Sequence, residues 1–151
     1  MVESVKFNVN EQPEFIVEVR ELVNAHFKEN KISRYANNQM FIKSAFMISL
    51  YFLPLIFMTT GVITGFWGVF SLWVLMGLGM SGIGLSVMHD ANHNAYSSKR
   101  IVNKAFGFLV NFIGGYHTNW IIQHNVLHHS FTNIDGHDED IEKVDIDIID
   151  D

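Results

Sequence analysis

Between Ser44 and Met88 the chain carries no Asp, Glu, Lys, Arg or His, a run of 45 residues. Few folds accept such a run. One bilayer crossing takes about 20 consecutive apolar residues, so the run fits two crossings and a short turn. Thr and Gly cluster in "TTGVITG", residues 59–65, which places the turn there. The spans are expected at roughly 44–62 and 66–88. Pro54 falls inside the first, where a membrane helix tolerates it if neighbours satisfy the freed carbonyl. The soluble alternative is a buried helical hairpin. A domain of 151 residues could hardly cover so long an uncharged stretch.

The flanks orient the hairpin. Lys28, Lys31, Arg34 and Lys43 precede it, and Lys99, Arg100 and Lys104 follow it. Basic residues are retained on the cytoplasmic side, so both ends are expected there. The first forty residues contain no signal-peptide pattern. A net charge of −6 argues against nucleic acid as a partner. With no cysteine, disulfides and thiolate metal sites are excluded.

The second span ends "GLGMSGIGLSVMHD". Gly77, Gly79, Ser81, Gly82, Gly84 and Ser86 allow another helix to approach closely. His89 is thereby delivered to a protein-lined place rather than to lipid.

Outside the hairpin the chain reads as helix. Phe15, Ile16, Val19, Leu22, Val23, His26 and Phe27 recur at spacings of three and four, which predicts an amphipathic helix over 13–30. His26 stands alone on its apolar face and reads as a packed or snorkelling side chain. Residues 105–116, "AFGFLVNFIGGY", are uncharged but too short to cross, which suits an interfacial or re-entrant helix ending at Gly114-Gly115. Residues 135–151 hold nine of the sixteen acids with little periodicity and read as a solvated or disordered end. The expected class is all-α: an N-terminal segment with the amphipathic helix (1–43), a two-span membrane hairpin (44–88), a cytoplasmic or interfacial histidine-bearing region (89–134) and the acidic tail.

Five of the eight histidines fall in two knots, "HDANH" at 89–93 and "HNVLHH" at 124–129. His89 and His93 are four apart and share a helix face, as do His124 and His128. His129 points about 100° away from His128. Two ligands on one face and a third turned aside suit two nearby metal centres better than one. Neutral imidazole binds Fe, Zn, Cu and Ni. His117, two helical turns before His124, is a further candidate ligand or supporting group, and His137 in the tail a weaker one. Asp90 could orient a ligating imidazole through its second nitrogen, or simply face water. Asn125 and Asn133 are similar polar candidates. Trp120, four residues before His124, reads as interface packing.

"MHDANHNAYS", then "NWIIQHNVLHHSFTN", then "DGHDEDI" together resemble the membrane fatty acid desaturase superfamily, most nearly the bacterial acyl-CoA desaturases of the linoleoyl-CoA type. The resemblance covers roughly residues 40–142. That family carries three histidine boxes, and this sequence matches the first at His89 and His93 and the second at His124, His128 and His129. The resemblance implies that these five hold a di-iron centre on the cytoplasmic side. The centre would use O2 and two electrons to remove two hydrogens from a fatty acyl chain presented as an acyl-CoA or acyl lipid. The third box and the later hairpin are not found here, so the chain is expected to be the N-terminal part of a desaturase and inactive alone. No H-P-G-G haem motif occurs in the first forty residues, which points to a separate electron carrier such as ferredoxin or a b-type cytochrome. Box spacing does not separate a desaturase from a related hydroxylase or ketolase. A non-catalytic membrane metal-binding fragment is the alternative from another class.

Overall fold

In the computed structural model, which describes residues 13–138, 140 and 141, the protein is helical, with no strand among the described residues. The chain divides between Arg34 and Tyr35 into two compact units.

The first unit contains α1, Pro13–Glu29, within one residue of the range its apolar stripe predicts. Pro13 occupies the first turn, where its missing N–H costs nothing. Glu14 near the start and Lys28 near the end both complement the helix dipole. The Asn30 side chain donates to the His26 carbonyl at 2.8 Å and so covers one of the last open acceptors.

The second unit is built on two long helices, α2 (Asn38–Thr59) and α3 (Phe66–Asn92), each long and apolar enough to cross a membrane. α2 starts six residues before the uncharged run because Asn37 caps it, accepting from the Met40 N–H at 2.9 Å. Pro54 lies inside it. Gly61, at φ 68°, lies in the short link to α3.

α2 and α3 pack on each other through two of the expected small residues. A Cβ on Gly79 would lie 2.5 Å from the Tyr51 backbone nitrogen, and one on Gly82 would run into the Met47 side chain. A Cβ on Gly77 would meet nothing, so the close face is narrower than the run of small residues suggests.

α3 is not uniform. It is α-helical over Phe66–Gly82, widens to a π-helix over Ile83–Met88, and tightens again over His89–Asn92. Each π turn accommodates one extra residue, which rotates everything after it relative to an unbroken α-helix. A short helix, α4 (Arg100–Gly107), follows and continues as a 3-10 turn over Phe108–Phe112. It begins earlier than the uncharged stretch at 105 because Asn103 ties back to Ser97, accepting from its N–H and donating to its carbonyl, both at 2.8 Å. The last helix among the described residues, α5, covers residues 117–131 and is π-helical over Ile121–His128.

Two small apolar clusters hold these pieces. Tyr51, Ile83, Met88 and Val110 form one, and Val87, Ala91 and Tyr96 the other. Each is pinned by a tyrosine hydroxyl that finds an acceptor, as a buried phenol must. Tyr51 donates to the Phe112 carbonyl at 2.6 Å, and Tyr96 donates to Ser44 Oγ at 2.8 Å. These contacts fix the end of α3 against α2 and α4, and with it the first histidine knot.

Candidate metal centre

The two knots meet. His89 and His93 leave the last turn of α3, while His124, His128 and His129 come from α5. His89 Nε2 lies 3.1 Å from His124 Nε2. The His93 ring sits 4.8 Å from that of His129 and 5.2 Å from that of His124, centroid to centroid. His124 and His128 stack at 5.1 Å. Among the described residues, two triads have nitrogen or carboxylate oxygen atoms all within 4.8 Å of one another: His89, His93 and His124, and His124, His128 and Asp140. His129 belongs to neither triad but touches both, 5.0 Å from His124 and 5.4 Å from His128 by ring centroids.

The donor set fits a metal. His93 Nε2 is buried with no hydrogen-bond partner, an arrangement that costs free energy unless something else meets the nitrogen. Burial first, and then the neighbouring His89, His129 and His124, depress the His93 pKa to about 4, with Asp90 acting weakly the other way. His93 is therefore neutral near pH 7, the form that ligates.

Two acids return to the site. Asp138 Oδ1 accepts from His128 Nδ1 at 2.9 Å, and Asp140 Oδ2 is 2.6 Å from His124 Nδ1. Burial pushes the Asp138 carboxyl pKa upward. Hydrogen bonds from the Asn133 N–H, the His128 ring and the Asp140 N–H outweigh that and hold it below the usual carboxylate value. By contrast Asp90, read either as an orienting acid or as facing water, only reaches His89 Nδ1 at 3.5 Å. Of the segment read as a solvated or disordered end, Asp138 is buried against the second knot and Asp140 reaches it, while Asp135, Gly136 and Ile141 are exposed; Glu139 and residues 142–151 lie outside the described residues. A turn makes the return, with Asn133 at φ 63° and Gly136 at φ 73°.

Residues 64–147 match the family model described as fatty acid desaturase. The chain belongs to the fatty acid desaturase family. It is 34% identical over 141 residues to the acyl-lipid (8-3)-desaturase of Physcomitrium patens, covering 91% of this chain and 28% of that protein. It is 34% identical over 127 residues to the sn-1 linoleoyl-lipid 6-desaturase of Arthrospira platensis, covering 84% of this chain and 34% of that one. The corresponding enzyme of Synechocystis sp. is 32% identical over 123 residues, with 79% and 33% covered. The chain therefore spans about a third of the length of these curated relatives. No solved structure matches.

Within this desaturase segment the remaining candidates separate. His117 joins no triad; its Nε2 lies 3.0 Å from Asn92 Oδ1, one helical turn beyond Met88. Asn125 donates to the Asn92 carbonyl at 3.0 Å. His117, Asn92 and Asn125 therefore brace the first box against the second from behind. Gly107 is part of that brace, because a Cβ there would collide with Asn92 Oδ1. His137 lies against Phe131, at 5.3 Å, and joins no triad. His26 is exposed beside Asn30. Trp120 packs against His89, His93 and His124 at ring distances of 5.9, 5.9 and 4.6 Å, and so lies on the cluster itself. The spacing that put Trp120 on the His124 face was the available signal. Asp138, Asp140 and Asn92 lie in the stretches that carry the resemblance, but no spacing gave them a role.

Proposed function

We propose that this chain supplies the first two histidine boxes of an oxygen-dependent acyl-lipid desaturase, with His89, His93, His124, His128 and His129 as iron ligands. The observation that carries the reading is the meeting of imidazoles from two helices around a buried, unpartnered His93 Nε2. Iron held there would supply the oxidising power for an alkyl C–H bond, consuming O2, two electrons and two protons and releasing two waters as CH2–CH2 becomes CH=CH. The chain's own residues hold the ligands, keep His93 neutral and close the site with Trp120. Five imidazoles leave positions in two iron coordination spheres for other donors, while Asp140 lies on the Nδ1 side of His124 and His128.

The membrane reading is part of the proposal. α2 and α3 insert as a hairpin with both ends cytoplasmic, following the basic flanks. α3, at 27 residues, is about 40 Å long. A hydrocarbon core is about 30 Å thick, so the end carrying His89 projects beyond it. An acyl tail can then reach the site from the bilayer while its polar head stays at the surface. The names of the relatives favour a lipid-linked acyl chain over a CoA ester. A separate carrier, a ferredoxin or a b-type cytochrome, would deliver the electrons.

The test replaces the matching segment of the Arthrospira platensis relative with this chain and reads host lipids by mass spectrometry. New double bonds that vanish with His128→Ala support the reading. Hydroxylated acyl chains would move it to a hydroxylase, and double bonds that survive His128→Ala would remove the ligand assignment.

A further inference from the structure

Asp138 is the one fully buried acid among the described residues, at 0% exposure. Its environment is built rather than incidental. Oδ1 accepts from His128 Nδ1 at 2.9 Å and from the Asp140 N–H at 3.1 Å. Oδ2 accepts from the Asn133 N–H at 2.8 Å and lies 3.0 Å from the same His128 nitrogen. The backbone that carries it is a tight reversal. The Ile134 N–H donates to the Phe131 carbonyl at 2.9 Å and the Asp138 N–H donates to the Ile134 carbonyl at 3.0 Å.

A carboxylate that merely closed a turn would need only the two backbone donors. Here the imidazole of a box histidine completes the set. Three N–H groups occupy most of the about four lone-pair sites of this fully buried carboxylate, so direct ligation by Asp138 is unfavourable. A neutral imidazole that donates from Nδ1 carries its lone pair on Nε2. A carboxylate in that place fixes both the tautomer and the plane of the ring, and raises the basicity of the other nitrogen.

We propose that Asp138 is a positioning residue of the metal centre, holding His128 as the Nδ1–H tautomer so that Nε2 is its ligating atom. The proposal rests on His128 being a ligand, as read above. Asp140 stands differently: it is partly exposed and lies 2.6 Å from His124 Nδ1 and 3.8 Å from His128 Nδ1, so its closer partner is the neighbouring ring.

The experiment is a cobalt(II) titration of the membrane-inserted chain, followed by its visible spectrum, for the parent, Asp138→Asn, His128→Ala and the double variant. Asn keeps the size of the side chain but has one acceptor oxygen and sets an NH2 against an N–H donor. Asp138→Asn should weaken cobalt binding about 10- to 100-fold. The double variant should bind no more weakly than His128→Ala alone, because no ring remains to be positioned. Parent affinity in Asp138→Asn beside a weakened His128→Ala overturns the proposal. So does an equal loss from Asp138→Asn in the His128→Ala background, which would make the carboxylate a fold element only. An unaffected His128→Ala overturns the ligand reading itself and the proposal with it. If the Asn variant fails to insert, Asp138→Glu, which keeps charge and both acceptors but moves them by a methylene, is read in the same cycle by the same outcomes.

Discussion

The Nε2 atoms of His89 and His124 lie 3.1 Å apart, although they are 35 positions apart in the chain with α4 between them. Two imidazole lone pairs do not face each other at that distance without a proton or a cation between them. Under the proposed function, the pair is the point where α3 and α5 share one metal. Alanine at His89 or at His124 should each lower cobalt(II) affinity. The double variant should lose less than the sum in free energy, as for residues acting through one site. Isothermal titration of the four proteins checks this, and additive losses would separate the two histidines into different sites.

Acid should loosen the metal-free site. His93 is held down to about 4 from an ordinary 6.5, by burial first and by its histidine neighbours next. Between those values the unfolded chain binds a proton that the folded chain does not, so stability rises with pH across this window. The contribution is fully present above pH 6.5 and is lost as pH falls towards 4. Trp120, packed on His93, gives the readout. With Trp67 and Trp73 replaced by Phe, the Trp120 fluorescence should report easier unfolding at about pH 4.5, inside the window, than at about pH 7, above it. His93→Phe should flatten that dependence.

Gly79 should be the least replaceable small residue of α3. Overpacking a close helix contact costs about 1–3 kcal/mol. Gly79→Leu would drive a side chain into the Leu50 and Tyr51 backbone, whereas Gly77→Leu meets open space. Thermal melts in detergent should show a lowered midpoint for the first and little change for the second.

The hairpin can be mapped with single cysteines, since the chain has none. Cysteine at Thr60, in the link after α2, should be labelled from outside intact cells, and cysteine at Ser98 should not. The reverse pattern would put the histidines on the outer side.

Where the fold was legible, local chemistry made it so. The stripe from Phe15 to Phe27 gives α1 because amphipathic spacing and helix are the same fact. The uncharged run gives α2 and α3, and only the Asn37 cap moves the first start earlier. The π turns were not legible. Over six or eight residues an apolar pattern reads equally as α or π, yet these turns set the direction in which both boxes point. The return of Asp138 and Asp140 was hidden for another reason. Acid-rich composition normally signals solvent, and a turn signal at Asp135-Gly136 does not tell which way the chain goes afterwards. The left-handed Asn133 and the buried carboxylate decide it together.

The central claim is that imidazoles of the two boxes bind metal jointly, and X-ray absorption of the membrane-inserted chain loaded with iron(II) tests it most directly. Nitrogen scatterers should appear at about 2.1 Å, close to the zinc–imidazole distance, with the outer-shell pattern of several imidazole rings that diminishes in both His89→Ala and His124→Ala. A spectrum of oxygen ligands without imidazole outer shells, unchanged by either substitution, would contradict it.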